Sequence, residues 1–209
     1  MITSSLFRIT NEKSTSPASL VVTNDKRVEE VRRIMNLEME AMALAMPEVE
    51  GHPNRLRFQG VLTLVAIASR RAPSGAGRHR VMLTRKATEA ALPSLLGMAL
   101  DYAPALDGHD ARRKIGVITE AEIVPLKAAS ADPAAQVTVS GYLYAHDFPD
   151  VMQALHAGSG TLGMSYEITD VTVVSTSSPI WTVTSFTFTG AAVLRKESAA
   201  YPETWIEVG

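Results

Sequence analysis

From Gly60 onward, apolar and polar positions alternate in short runs broken by Gly, Pro, Asp and Ser, the pattern of strands with one buried face. The expected strands are 60–69, 81–84, 115–124, 136–144, 164–175 and 180–194. Between them, residues 86–98 around Pro93 predict a short helix, and 148–156 predict another. Residues 101–110, with Pro104 and Gly108, carry turn chemistry. The basic stretch 70–80 is an expected loop. Its Gly75 and Gly77 stand among arginines, but no phosphate-binding Gly-Lys-Ser/Thr pattern follows, so a solvated connection is favoured.

The period changes toward the N-terminus. Val28, Val31, Ile34, Met35, Met39 and Met42 recur at spacings of three and four, which predicts a helix over 27–45, capped by Asn24 or Asp25 and stopped by Pro47. Its stripe of Met35, Met39, Met42 and Met46 is expected to pack into the core. Residues 1–26 are rich in Ser, Thr and Asn without a sustained period and are read as a flexible N-terminal arm. The expected organisation is this arm and a single domain over 27–209, of α+β class, mainly β, with strands wrapped into a barrel or sandwich and helices outside.

Composition removes several functions. The chain has 209 residues, no cysteine and a net charge of −2. Without cysteine there is no disulfide framework, thiolate zinc site or cysteine nucleophile. A near-neutral charge gives no electrostatic reason for nucleic-acid binding, and no apolar run is long enough for a membrane span. The 5 histidines show no helical zinc spacing, and His146 and His156 near Asp147 and Asp150 stand where carboxylates act as helix caps, so no metal and no cofactor is expected.

The remaining chemistry points to an oxygen nucleophile and an imidazole base. His109 lies in the Gly-containing turn 107–110 ahead of a strand, with a side chain whose ordinary pKa of about 6.5 suits proton transfer. Ser165 follows Gly163 at the start of a later strand, where a small neighbour admits a substrate backbone. The segment Gly163-Met164-Ser165-Tyr166-Glu167 lacks the second glycine of a nucleophile elbow, and no Ser-x-x-Lys motif is suitably placed. A surface histidine and a structural serine are the blander alternatives. Gly116 and Gly141 are expected to permit strand bends, Glu167 to be a surface strand residue, and Trp181 and Trp205 to pack.

Six segments, in order, add a family resemblance. Ala91-Leu92-Pro93-Ser94-Leu95-Leu96-Gly97, Leu106-Asp107-Gly108-His109-Asp110, Lys114-Ile115-Gly116-Val117-Ile118, Gly141-Tyr142-Leu143-Tyr144, Leu162-Gly163-Met164-Ser165-Tyr166-Glu167 and Phe188-Thr189-Gly190-Ala191-Ala192-Val193-Leu194 resemble the prohead (capsid maturation) serine proteases of tailed bacteriophages. The likeness runs over roughly 80–200. It implies a herpesvirus-assemblin-like fold, a closed β-barrel of about seven strands with surrounding helices. It implies a catalytic pair at His109 and Ser165, and an oxyanion site of backbone amides at a turn comparable to Gly190-Ala191.

The resemblance further implies an endopeptidase, active as a homodimer, that cleaves the phage scaffold protein, the major capsid protein and itself inside the procapsid in the host cytoplasm. Helix 27–45 or 148–156 would present the dimer face. The chain departs from the family at the third catalytic position, because the strand from Ile180 to Phe188 holds neither an acid nor a histidine. Ser185 or Thr187 is a candidate there, and Asp170 or Glu122 from elsewhere. Two other readings stay open: a non-catalytic phage head scaffold or capsid-lining protein that keeps the protease-like fold, and a β-barrel binding module.

Overall fold

In Ala135–Leu143 every second residue is buried, so one face of this strand meets the core and the other meets water, as its alternating sequence dictates. The computed structural model describes residues 41–43, 51–126 and 134–209. In chain order the elements are β1 (Ala41–Ala43), β2 (Leu56–Val65), β3 (Arg80–Leu83), α1 (Arg85–Ala91), a 3₁₀ turn (Leu92–Leu95), β4 (Ala99–Tyr102), β5 (Lys114–Pro125), β6 (Ala135–Leu143), α2 (Pro149–Ala157), β7 (Leu162–Val173), β8 (Ile180–Arg195) and β9 (Trp205–Val208). Local chemistry accounts for the helices. The Thr84 hydroxyl accepts a bond from the Ala87 amide to open α1, Pro93 tightens its exit into the 3₁₀ turn, and Pro149 opens α2 with Asp150 in its first turn. No helix among the described residues is long and apolar enough to cross a membrane.

The strands form one 9-stranded sheet in the order β3-β8-β4-β5-β6-β2-β9, with β1 added to β5 and β7 to β8. β3 and β4 run parallel to β8, and the other pairs are antiparallel. The sheet curves into an open half-barrel, not the closed barrel expected from the resemblance. The reason lies at Ala66, which takes a φ of 59° directly after β2 and ends its extended run. Beyond it isolated bonds, among them Ala66 N to Leu83 O, Ser69 N to Val81 O and Val81 N to Ser69 Oγ, link the chain to β3 in place of a ladder.

The core lies in the curve of the sheet, closed by α1, the 3₁₀ turn and α2, around Leu62, Leu92, Leu95, Leu100, Ile115, Ile118, Leu143 and Phe188. Gly116 and Gly141 serve close strand approach: a Cβ on either would stand 2.4 Å from the Tyr142 carbonyl oxygen or 2.0 Å from that of Val117.

Other expectations change. The arm 1–26 and the helix 27–45 lie outside the described residues except for Ala41–Ala43, which is a strand, because pairing with Glu120–Glu122 overrides a modest intrinsic preference for helix. After Leu194 the chain packs back on the sheet: Tyr201 and Ile206 are buried, and β9 pairs with β2. Trp181 packs as expected, while Trp205 is 36% exposed on that last strand.

Candidate active site

Strands β4, β8 and β7 lie side by side, and their two faces differ. One face carries Leu100, Ala191, Val193 and Met164 into the core. On the other, Asp101 of β4 stands opposite Ala192 of β8, and Ala192 stands opposite Ser165 of β7. Directly paired residues project to the same side, so Asp101 and Ser165 share this face, two strand spacings or about 10 Å apart. Glu167, two residues beyond Ser165, shares it too and pairs with Gly190. A Cβ on Gly190 would stand 2.6 Å from Glu167 Oε2, so the missing side chain is what lets this carboxylate lie across β8.

The connection 103–113 folds over this face and delivers His109. It is held at both ends: Leu106 N donates to Ala103 O at 2.8 Å, and Leu106 O accepts from Arg195 N at 2.7 Å. Asp110 accepts from the Arg112 amide and guanidinium, each at 3.1 Å, and from Arg113 Nε at 3.2 Å. These bonds, from Arg112 first, hold its carboxyl below the ordinary range. The 3₁₀ turn helps fix β8 as well, since Ser94 Oγ accepts from Phe188 N at 2.8 Å just before Gly190.

His109 Nδ1 lies 3.2 Å from Glu167 Oε1 and 3.7 Å from Asp101 Oδ1. Neither contact is aligned as a hydrogen bond, so His109 Nδ1 and Asp101 Oδ1 are both buried without a formed partner. Interaction with the nearby His109 ring nevertheless holds the Glu167 carboxyl below its ordinary range against the opposing effect of burial. Asp101 behaves oppositely. Its side chain is fully buried, which pushes its pKa up, although Lys114 Nζ donates to its Oδ2 at 3.0 Å. The ring and Glu167 remain open to solvent, with side chains 22% and 27% exposed.

An imidazole that turns Nδ1 toward acids leaves Nε2 free for proton exchange with a hydroxyl, the orientation a Ser-His-acid site requires. The Ser165 hydroxyl makes no hydrogen bond among the described residues. Among them, Asp101, His109 and Glu167 also form the single group able to offer three metal ligands, with ligand atoms all within 4.8 Å of one another.

Of the residues expected in the site, the structure brings His109 and Ser165 to one sheet face and brings Glu167, expected to be a bystander, against the ring. The four third-partner candidates lie elsewhere on the sheet. Ser185, Thr187, Asp170 and Glu122 are all exposed, and among the described residues the acids that pair with His109 are Asp101 and Glu167. Ser185 and Thr187 precede the register of the site on β8, Asp170 lies past the bulge that follows Glu167, and Glu122 pairs with β1 and β6. Gly190 and Ala191 form no turn. They lie inside β8, where Gly190 pairs with Glu167 of β7 and Ala191 with Tyr166 of β7 and Leu100 of β4. Asp101 was missed; its position in a turn-rich stretch hid a short strand, and the alternation Leu100-Asp101-Tyr102 was the available signal.

The model of the family described as the YonD N-terminal domain matches residues 106–207, just under half of the chain. The chain is similar to that family over β5 to β9, with His109, Ser165 and Glu167 inside the match and Asp101 before it. No curated protein and no solved structure matches the chain.

Proposed function

We propose that this chain is a serine endopeptidase of phage procapsid maturation, with Ser165 as nucleophile, His109 as general base, and Glu167 with Asp101 in the acidic position. The observation that carries the reading is the His109 ring held with Nδ1 between two carboxylates, on the sheet face that also bears Ser165. Glu167 is nearer and solvated. Asp101 is buried and tied to Lys114, so it sets the ring's position more than its charge.

In the proposed reaction Ser165 Oγ attacks a peptide carbonyl while His109 Nε2 takes its proton. The acids steady the imidazolium, which then protonates the leaving amine. Water resolves the acyl-enzyme by the same exchange in reverse. The ordered phage-protease-like segments supply the substrate class: scaffold and capsid polypeptides, cleaved by a homodimer within the procapsid.

A second reading, the non-catalytic head component, is favoured by one observation: the Ser165 hydroxyl has no bond to His109. Catalytic hydrogen bonds are commonly long before substrate arrives, which keeps the first reading ahead. A fluorophosphonate probe separates them, because it forms an Oγ–P bond, expelling fluoride, only at an activated serine. Labelling of the wild type, with none in Ser165→Ala, is expected. On co-expression with the cognate scaffold, Ser165→Ala lowers cleavage at least ~10³-fold. Cleavage unchanged in that variant overturns the proposal.

A further inference from the structure

We propose that Asp101 Oδ1, His109 Nδ1 and Glu167 Oε1 form a binding site for a divalent cation of zinc type, and that the bound cation switches the serine site off. The switching half rests on the protease reading; the binding half does not.

The first observation is the buried, unpartnered pair of atoms. Asp101 Oδ1 and His109 Nδ1 are both buried, lack a formed hydrogen bond and stand 3.7 Å apart. An orphaned buried acceptor loses its water without gaining a partner, so such a pair marks a place where something else completes the site. The Asp101 side chain is fully buried and cannot turn to solvent, and its other oxygen is engaged by Lys114 at 3.0 Å.

The second observation is spacing. Ligands at about 2.0–2.2 Å from a tetrahedral zinc stand roughly 3.3–3.5 Å from one another. The Nδ1 to Oε1 and Nδ1 to Oδ1 separations are 3.2 and 3.7 Å, and one ligand atom from each of the three residues lies within 4.8 Å of the others. Small shifts bring them to coordination geometry. One imidazole and two carboxylates suit zinc; magnesium and calcium need about six or more oxygens, which these residues do not supply. The exposed side of His109 and Glu167 leaves a fourth position to water. The Lys114–Asp101 bond would act as an outer support that orients the aspartate.

The switch follows from the tautomer. A cation on Nδ1 requires the ring proton to sit on Nε2, whereas proton abstraction from Ser165 requires Nε2 to be free. Both states use the same ring, so they exclude each other.

Zinc titration of the full chain by calorimetry at neutral pH tests the binding. One site is expected, lost in His109→Ala, weakened at least ~10-fold in Asp101→Asn and in Glu167→Gln, and unchanged in Ser165→Ala. Cobalt(II) in place of zinc should give a tetrahedral visible spectrum that these ligand variants lose. Circular dichroism identifies any variant that fails to fold, and Glu167→Gln, on a solvated side chain, is the variant least exposed to that failure. No binding to the wild type, or equal binding to His109→Ala, overturns the site. Fluorophosphonate labelling tests the switch: one equivalent of zinc should suppress it and a chelator should restore it. Labelling unchanged by bound zinc overturns the switch. Zinc binding with no labelling under any condition upholds the cation site and rejects the protease reading.

Discussion

Two loops of this protein each carry a histidine placed against a strand, and the two rings are treated differently. In the connection from β2 to β3, His79 stacks on Trp181 with ring centroids 4.5 Å apart and planes 14° from parallel. Its Nδ1 lies 2.7 Å from the Ser178 carbonyl oxygen, to which it donates. Both the apolar and the polar demands of that ring are met by fixed partners. In the connection from β4 to β5, His109 faces two carboxylates with its Nδ1 buried and no bond formed. Satisfied groups hold a fold together, while a buried group left incomplete is where chemistry is to be sought. Both loops contain glycine and arginine, but the arginines of 103–113 are balanced by Asp107 and Asp110 while those of 66–79 have no acidic neighbour in the loop; neither pattern reveals which ring is left incomplete.

The sharpest way to break this contrast is to remove each ring. His109→Ala should lower the rate of fluorophosphonate labelling by ~10³–10⁴, as loss of a triad base does. His79→Ala should leave that rate within about twofold, because its effect is confined to packing. Equal rates in the two variants would dissolve the distinction.

The carboxylates come next. Glu167→Gln should slow labelling about 10–10²-fold, less than the ~10⁴ that follows loss of a sole acidic partner, because Asp101 remains 3.7 Å from the ring. The double variant Asp101→Asn/Glu167→Gln should approach that larger loss. If Glu167→Gln alone reaches it, Asp101 has no share. Gly190→Ala probes the same contact from below. Its Cβ would crowd the end of the flexible Glu167 side chain, while the backbone oxygen of Ala99 stays at an ordinary 3.7 Å, so a stability change under ~1 kcal/mol is expected together with about a tenfold loss of labelling. Gly108→Ala, in the His109 loop, has nothing within 4 Å and should be silent in both measurements.

Most strands were legible because their alternation is strong. β5, β6 and β8 lie within a residue of their expected spans, and β7 begins two residues early. β2 is offset toward the N-terminus, since Ala66 at positive φ ends it where the apolar run continues. β4 and β9 were not seen: at 4 residues each they owe their extension to strands distant in sequence. The same limit governed the site. His109 and Ser165 could be named from residue type, but Asp101 and Glu167 join them only through the lateral register of β4, β8 and β7. That register is fixed by the whole sheet, and no local spacing carries it.

A smaller effect separates the two histidines in stability. His79→Ala forfeits a stacked ring and a hydrogen bond and should cost about 1–2 kcal/mol in denaturant unfolding. His109→Ala should cost less, since it removes a ring with no formed hydrogen bond at Nδ1. A larger loss in His109→Ala than in His79→Ala would mean that the ring between the carboxylates is structural.

The smallest effect, and the finest test of the environment of His109, is the pH dependence of stability. Glu167 has a folded pKa below its unfolded value of 4.5, so it contributes stability above that pH and loses it as pH falls through the folded value. Asp101 has a folded pKa above its unfolded value of 3.8, so its ionisation costs stability, a cost that grows as pH rises from 3.8 through the folded value. The neutral variants should therefore diverge. Relative to wild type, Asp101→Asn gains stability as pH rises, with Lys114, its side chain 35% exposed, able to rehydrate its ammonium. Glu167→Gln loses stability relative to wild type as pH rises toward 4.5. Urea unfolding of both variants across the acidic range reads the two slopes directly. Slopes of the same sign would show that the two carboxylates share one environment, and the division of labour between a buried anchor and a solvated partner would fall.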